Sequence, residues 1–474
     1  MPDPAATAGH AIVLAAGKGT RMKSDLAKVL HRAAGRTLLA WVLEAIAASE
    51  PQRTLVVVGH QAEEVAAGLP AGVDAVAQEP QNGTGHAAQI ALDHLGQIAP
   101  DATVLVAYGD MPLVGGETYA ALAARPAEVE VRMATVDPGP EGFGRMIRDA
   151  SGSVRGIVEE RDCSPDQLLL TERNPGLYAF RAGALADALA KVGTDNSQGE
   201  MYLTDVIGLI VDGGGRIETF TVPAEDVVGV NSHDQLAQVE AALRRRINTD
   251  HMRNGVWMLD PDRTYIDATV QIEAGARLYP GTHLEGATTV GPGATVGPDC
   301  YLVDSSVGGE ARVTYSVLRA AMVGEGASVG PYASLRPGTV LAARSKAGTF
   351  VETKNTTLGE GAKVPHLSYM GDAVIGRQAN VGAGSITCNY DGYEKHETVI
   401  GERAFIGSDT MLVAPVTIGD GAVTGAGSVI TSNVEPGALA IERSPQKDVP
   451  GYAERRAARA KKRDDATRDA QKGS

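Results

Sequence analysis

From Ile400 the chain places an apolar or small residue at every sixth position: Ile400, Ile406, Leu412, Ile418, Thr424 and Ile430. Gly401, Gly407, Gly419 and Gly425 follow four of them directly. A helix buries residues at a period of about 3.6 and a strand at 2, so neither alone yields this spacing. A repeat of six belongs to a parallel β-helix, where short strands separated by turns each aim one side chain into a central prism. Glycine after the buried position is expected to let the backbone turn a corner that a Cβ would obstruct. The same phase begins at Ile272 and runs through Leu278, Leu284, Val290, Val296 and Leu302. It resumes at Val317, Val323, Val329, Leu335 and Leu341, and Leu358, Val364, Ile375, Val381 and Thr387 follow. Residues 303–315 and 342–357 break the phase and are expected to be irregular turns or loops.

A chain of 474 residues is too long for one core and implies two or three domains. The formal net charge of -15 argues against nucleic acid or an anionic membrane as the main partner. Cys163, Cys300 and Cys388 have neither metal-ligand spacing nor an even-numbered framework, which fits a reducing, cytoplasmic setting. The N-terminus lacks a basic segment and a long apolar run, so no signal peptide is expected. No stretch approaches the roughly 20 apolar residues of a membrane span.

The first half has a βα rhythm. Residues 11–15 form a buried strand that opens at once into Gly17-Lys18-Gly19-Thr20-Arg21, a turn able to present backbone N–H groups and two cations to an anion. The spacing is neither a Walker A nor a dinucleotide fingerprint, and a plain βα turn reads the same way. Residues 38–48 carry one apolar helical face. Residues 53–58 and 103–108 are apolar runs without alternation, as in strands covered on both sides, and residues 130–136 and 176–180 add further strands. A three-layer α/β domain follows, with ligands at the carboxyl ends of the strands. Asp110 stands at such an end, where a carboxylate either holds a divalent cation beside phosphates or caps a turn.

The strings LAAGKGTRM with Lys28, then QNGTGHA, YGD, GFGR, IVEE, NPG and GVN, span residues 14–231. They resemble the sugar-nucleotide pyrophosphorylases, in an order similar to the bacterial N-acetylglucosamine-1-phosphate uridyltransferases. The resemblance implies a Rossmann-like nucleotidyltransferase domain. It assigns uracil and ribose to Leu14, Ala15, Ala16, Gly17, Gln78, Gly83 and Thr84, and the phosphates to Arg21 and Lys28. Mg²⁺ falls to Asp110 and Asn231, and the sugar to Gly144, Glu159 and Asn174, with Tyr108 and Gly109 beside them. Ala27 stands where the family usually has proline and is expected to loosen the Lys28 loop. Pro175 replaces a usual threonine and is expected to alter contacts near Asn174.

Residues 232–255 read as a connecting helix. Ser232 and Gln235 have capping-box spacing, and Leu236, Val239, Leu243 and Ile247 form one apolar stripe.

In the second half, polar residues interrupt the repeat together: Arg336, Lys354, His366, Tyr369, Asn380 and then Asn389-Tyr390-Asp391-Gly392. HLSYMGD and NVGAGSITCNYDG resemble the acetyltransferase half of the bifunctional uridyltransferases, and the whole half resembles the left-handed parallel β-helix (hexapeptide repeat) of trimeric acyltransferases. The resemblance implies acetyl transfer from acetyl-CoA to glucosamine 1-phosphate. His366 would be the base, oriented by Glu352. Arg336, Lys354, Tyr369 and Asn380 would hold the sugar phosphate. Ala383, Asn389, Tyr390, Ser408, Ala426 and Arg443 would contact acetyl-CoA. Thr349 and Pro365 depart from the family pattern and bear on the shape of the loop near His366.

The expected organisation is therefore a uridyltransferase domain over residues 1–231, a linker helix over 232–255, an acetyltransferase β-helix over 256–452 and a charged, disordered tail over 453–474. The expected partners are UTP, Mg²⁺, acetyl-CoA, the two sugar phosphates and two further copies of the chain, with no nucleic acid. The product, UDP-N-acetylglucosamine, would feed peptidoglycan and lipopolysaccharide synthesis. A nucleotidyltransferase whose β-helix only oligomerises is the alternative, and a non-catalytic scaffold is a third.

Overall fold

The computed structural model describes residues 9–472. It divides into two compact units: one runs to Val290 and includes Tyr301–Asp304, the other comprises Gly291–Cys300 and the chain from Ser305.

The first unit is built on a seven-stranded sheet in the order Ile217–Thr221, Val131–Thr135, Tyr178–Arg181, Thr103–Tyr108, His10–Ala15, Arg53–Val58, Val73–Ala77. Only Tyr178–Arg181 runs antiparallel to its neighbours. Both faces are covered, which explains the unalternating apolar runs. Ile12, Leu14, Leu55 and Val57 pack with Ala87, Ala88, Ala91 and Leu95 of the helix Thr84–Leu95. Ala11, Val13, Val56 and Val58 face Leu39, Val42, Leu43 and Ile46 of the helix Leu38–Ala47. A smaller sheet of Gly144–Arg148, Val154–Val158 and Arg173–Asn174 joins it through an antiparallel bridge between Val136 and Arg173.

The helix His233–Arg253 buries Val239 and Leu243 in a cluster with Met22, Leu38, Leu113 and Val230. The anticipated capping box is not made. Ser232 is the N-cap, but its side chain bonds to Asp234 rather than to the helix backbone. Gln235 reaches back one residue further, accepting from Asn231 N at 2.8 Å. Further along, Asn248 Nδ2 donates to Pro261 O and Thr264 O at 2.8 and 2.9 Å. Arg244 lies 4.5 Å over the Tyr265 ring, which stacks on His283 at 4.2 Å. The helix is thus fixed to the first coils of the solenoid within the same unit.

In the second unit short parallel strands stack coil on coil, as where Ser334–Leu335 pairs with Glu352–Leu358 and that strand with Tyr369–Ile375. The inward positions are completely buried and more regular than the sequence phase implied. Val307, Val313, Leu318 and Val323 continue the series at five- or six-residue steps, as do Ala347 and Thr353. Residues 303–315 and 342–357 are therefore ordinary coils, and Leu318, not the half-buried Val317, occupies the inner position. A corner shortened by one residue shifts the phase without interrupting the prism. The residue two before each inward position is also buried and small or short, as in Ala327, Ala333, Ala362, Ala379 and Ala404.

Gly297 and Gly330 follow inward positions with φ of 103° and 96°, as expected, but most glycines at such positions act differently. Gly324 does not have a positive φ; a Cβ there would lie 2.8 Å from Leu341 O and 2.9 Å from Ala342 C in the next coil. Close backbone approach requires it. Other left-handed corners are taken by non-glycine residues, among them Tyr315, Tyr332, Phe350 and Leu367, with φ of 46°, 59°, 57° and 48°. One long excursion interrupts the stack, between Thr387 and Ile400.

The C-terminal tail is a helix, Tyr452–Lys472, rather than disordered chain. Its alanines, arginines and lysines are strong helix formers, and every described side chain in it is exposed, so intrinsic propensity sets its conformation.

Two candidate active sites

At the carboxyl edge of the main sheet in the first unit lies a cavity of about 1020 Å³. The ends of His10–Ala15 and Thr103–Tyr108, together with the start of the helix Thr84–Leu95, bring Leu14, Ala15, Ala16, Gly17, Lys28, Gln78, Gly83, Thr84, Tyr108 and Asp110 onto its wall. Beside it is a hollow of about 200 Å³ lined by Gly144, Glu159, Asn174 and Asn231. Tyr108 and Asp110 line both, so the two are neighbours across one wall.

That wall is the electrostatic centre of the site. The Lys28 ammonium is ion-paired with Asp110 and donates to Asn231 Oδ1 at 3.1 Å. The loops carrying these residues are tied by Val230 N donating to Asp110 O at 3.0 Å. Two oxygen donors held either side of a cation suit a hard divalent ion such as Mg²⁺.

Around this centre the loops are fixed by specific bonds. Gln78 Nε2 donates to Gly83 O at 2.9 Å, and Gln81 Nε2 holds Ala16 O at 2.8 Å. Gly83 has φ 100°, and a side chain there would meet Met201 O at 2.5 Å. Asn174 donates to the Tyr178 hydroxyl at 2.6 Å and accepts from Gly176 N at 3.0 Å. Burial pushes the Glu159 carboxyl above the usual range, opposed by the Thr204 hydroxyl donating at 2.9 Å. Burial and the nearby Glu159 likewise raise the Tyr108 phenol.

Two expected residues stand elsewhere. Arg21 is exposed and lines neither cavity, and Gly109 lies behind the wall, donating to Leu14 O at 3.0 Å. Lys18 lines the large cavity in their place. Sequence reasoning also missed Gly176, whose positive φ and lack of a Cβ let the Tyr108 ring lie against its backbone. Ala27 is not loose: its N–H donates to Gln61 Oε1 at 2.5 Å.

In the second unit three cations gather. Arg336 Nη1 donates to Glu352 Oε1 at 2.9 Å, and Lys354 Nζ lies 3.9 Å from Asp372. Lys395, which sequence reasoning overlooked, touches Lys354 and lowers its pKa. Asp372 also accepts from Asn355 at 2.8 Å and from Asn389 Nδ2 at 2.5 Å. Glu352 therefore engages Arg336, not His366 as expected. His366 ends the strand Lys363–His366, directly paired with Thr349, and its side chain is exposed. Tyr369 and Asn389 converge over Gly371, where a Cβ would collide with the Tyr369 hydroxyl and lie 2.8 Å from Asn389 Nδ2. Asn380 pairs in register with Lys363. Ala383 O accepts from Asp409 N at 2.7 Å. Ser408 O accepts from Gly427 N at 2.8 Å, and Arg443 Nη1 donates to Ala426 O at 2.8 Å, so Ser408, Ala426 and Arg443 share one neighbourhood. Tyr390 belongs to the excursion, its hydroxyl donating to Gly392 O at 2.6 Å.

Residues 11–201 match the MobA-like NTP transferase domain, and residues 397–432 match the bacterial transferase hexapeptide repeat. Fold and match together define a nucleotidyltransferase joined to a left-handed hexapeptide-repeat β-helix. The bifunctional protein GlmU of Streptomyces avermitilis is 50% identical over 455 residues, covering 94% of each chain. That of Streptomyces coelicolor is 49% identical, again covering 94% of each, and that of Mycolicibacterium vanbaalenii is 47% identical, covering 94% of this chain and 92% of its own. The chain belongs to the GlmU family of bifunctional proteins.

Proposed function

We propose that the chain makes UDP-N-acetylglucosamine in two steps. The second unit transfers an acetyl group from acetyl-CoA to glucosamine 1-phosphate, and the first then transfers a uridylyl group from UTP to the product. The observation that carries the uridylyl step is Asp110 on the wall between a nucleotide-sized cavity and a sugar-sized hollow, with Lys28 on the first side and Asn231 on the second. An oxygen of the sugar 1-phosphate attacks the α-phosphorus of UTP and pyrophosphate leaves. Such a reaction needs alignment and charge neutralisation above all. Leu14 to Gly17, Gln78, Gly83 and Thr84 hold the nucleotide. Gly144, Glu159 and Asn174 hold the sugar, and Lys18 and Lys28 meet the phosphates. Asp110 and Asn231 would hold Mg²⁺, which supplies charge to the phosphate oxygens when bound.

For acetyl transfer, Arg336, Lys354 and Lys395 provide the charge that a sugar phosphate requires, with Tyr369 and Asn380 beside it. His366 takes a proton from the attacking amine, the amine adds to the thioester carbonyl, and the thiol departs. The N–H of Ala383 faces the developing oxyanion. Asn389, Tyr390, Ser408, Ala426 and Arg443 hold coenzyme A. We assign the chain to the cytoplasm; its three thiols are free, and no helix among the described residues is long and apolar enough to cross a membrane. We also assign it a homotrimeric state. Support comes from an exposed column of Tyr315, Tyr332 and Phe350, with ring centroids 5.6 and 5.4 Å apart.

The test separates the two activities. Asp110→Ala is expected to lower uridylyl transfer by roughly 10²–10³-fold and leave acetyl-CoA thiol release intact. His366→Ala is expected to lower thiol release by about 10²–10⁴-fold and spare uridylyl transfer. No thiol release from the wild-type protein with glucosamine 1-phosphate, alongside active UDP-sugar formation, would leave only the nucleotidyltransferase reading.

A further inference from the structure

The helix His233–Arg253 does more than connect. Three of its side chains reach segments that carry Lys28, Asp110 and Asn231. Gln235 accepts from the Asn231 backbone N–H at 2.8 Å. Arg246 uses both arms of its guanidinium: Nη1 donates to Leu113 O at 2.7 Å, three residues after Asp110. Nη2 donates to Asp226 Oδ1 at 2.6 Å, five residues before Asn231. At the other end His233 meets His31 edge-on, with centroids 5.6 Å apart, and His31 closes the short turn Lys28–Leu30. One rigid element therefore touches all three loops of the candidate metal and phosphate centre.

We infer that Arg246 is a positioning residue for uridylyl transfer. It clamps the Asp110 and Asn231 loops at the separation a divalent cation needs. This rests on Asp110 and Asn231 being the metal ligands. A planar guanidinium with two divergent donors holds both loops at once, whereas an ammonium on a flexible stem acts as a single point. Supporting groups behind metal ligands are worth about 10–100-fold in affinity when removed. Asp226 sits partly buried, its carboxyl raised by that burial, so loss of Arg246 also leaves a charge without its partner and frees the loop leading to Asn231.

The experiment is a Mn²⁺ titration of the full chain by water-proton relaxation, with the Mg²⁺ concentration giving half-maximal uridylyl transfer as a second measure. Arg246→Met is expected to raise both constants about tenfold. Its kcat at saturating Mg²⁺ should stay near wild type, and Arg246→Lys should lie between. The thermal unfolding profile of the full chain and its affinity for UTP report that the first unit of the variant is folded. Asp110→Asn separates the two layers of the argument. If it leaves both constants unchanged, the metal assignment itself fails. If Asp110→Asn weakens both while folded Arg246→Met matches wild type, the positioning role is overturned. An Arg246→Met variant that lowers kcat with unchanged metal constants overturns it too.

Discussion

At the scale of single residues, the Lys28 turn shows how one missing constraint is made good by another. Ala27 has φ -54°, a value a proline ring would also impose. Its N–H is instead held by Gln61, which adopts a left-handed φ of 52° where glycine is the usual occupant. Gln61→Met should lower uridylyl kcat/KM about 3–10-fold, in line with roughly 0.5–1.5 kcal/mol for a net hydrogen bond. Adding Ala27→Pro to that variant should restore most of the loss, since ring and hydrogen bond constrain the same torsion. A double variant no better than the single would show that Gln61 acts elsewhere. The legible and illegible parts of the site divide along similar lines. Asp110 was legible as a strand-end carboxylate, with a turn cap the equal alternative, and Lys28 only through the resemblance of its motif string. Lys395 was not legible, since nothing in its neighbours distinguishes it from a surface lysine. Gly176 and Gly371 stand in strings already noted, but their purpose, making room for Tyr108 and Tyr369, exists only once distant segments meet.

At the scale of elements, the repeat was legible because its physical cause is local. Every short strand of a coil needs one inward apolar or small residue, and the sequence supplies it. The phase breaks were misread because five residues can span a corner as well as six, so spacing alone cannot tell a short corner from a loop. The linker helix was found by its stripe of Leu236, Val239, Leu243 and Ile247, yet its cap was not, since Gln235 serves Asn231 instead. Coil spacing also gives a direct test near the acetyl site. A Cβ at Gly348 would strike the carbonyl oxygen of Pro365 and lie 2.7 Å from its carbonyl carbon. Pro365 immediately precedes His366. Gly348→Ala should therefore cost about 1–3 kcal/mol of overpacking and depress acetyl transfer. Uridylyl transfer in the same preparation should be unaffected. Normal thiol release from that variant would mean that His366 tolerates displacement of its strand.

At the scale of the whole molecule, the trimer proposed above and the two proposed activities predict different responses to one surface change. Tyr332 is 56% exposed in the middle of the aromatic column, so a charge placed there is tolerated by a lone chain and costly in an apolar interface. Tyr332→Glu should shift the protein to monomers in sedimentation equilibrium and abolish acetyl transfer, with uridylyl transfer retained. A variant that stays trimeric would place the interface on another face.

The excursion between Thr387 and Ile400 has a consequence of its own. Tyr390 bridges back to Lys395, and His396 Nε2 meets Asp391 Oδ2 at 2.8 Å, so the segment is a self-closed hairpin. Below and above it the coils stack as though nothing intervened, with Ile375 beside Ile400. What the molecule displays at this point is thereby uncoupled from what it buries. A lineage could rewrite the hairpin, and with it the company Lys395 and Tyr390 keep, while every residue of the prism stayed as it is.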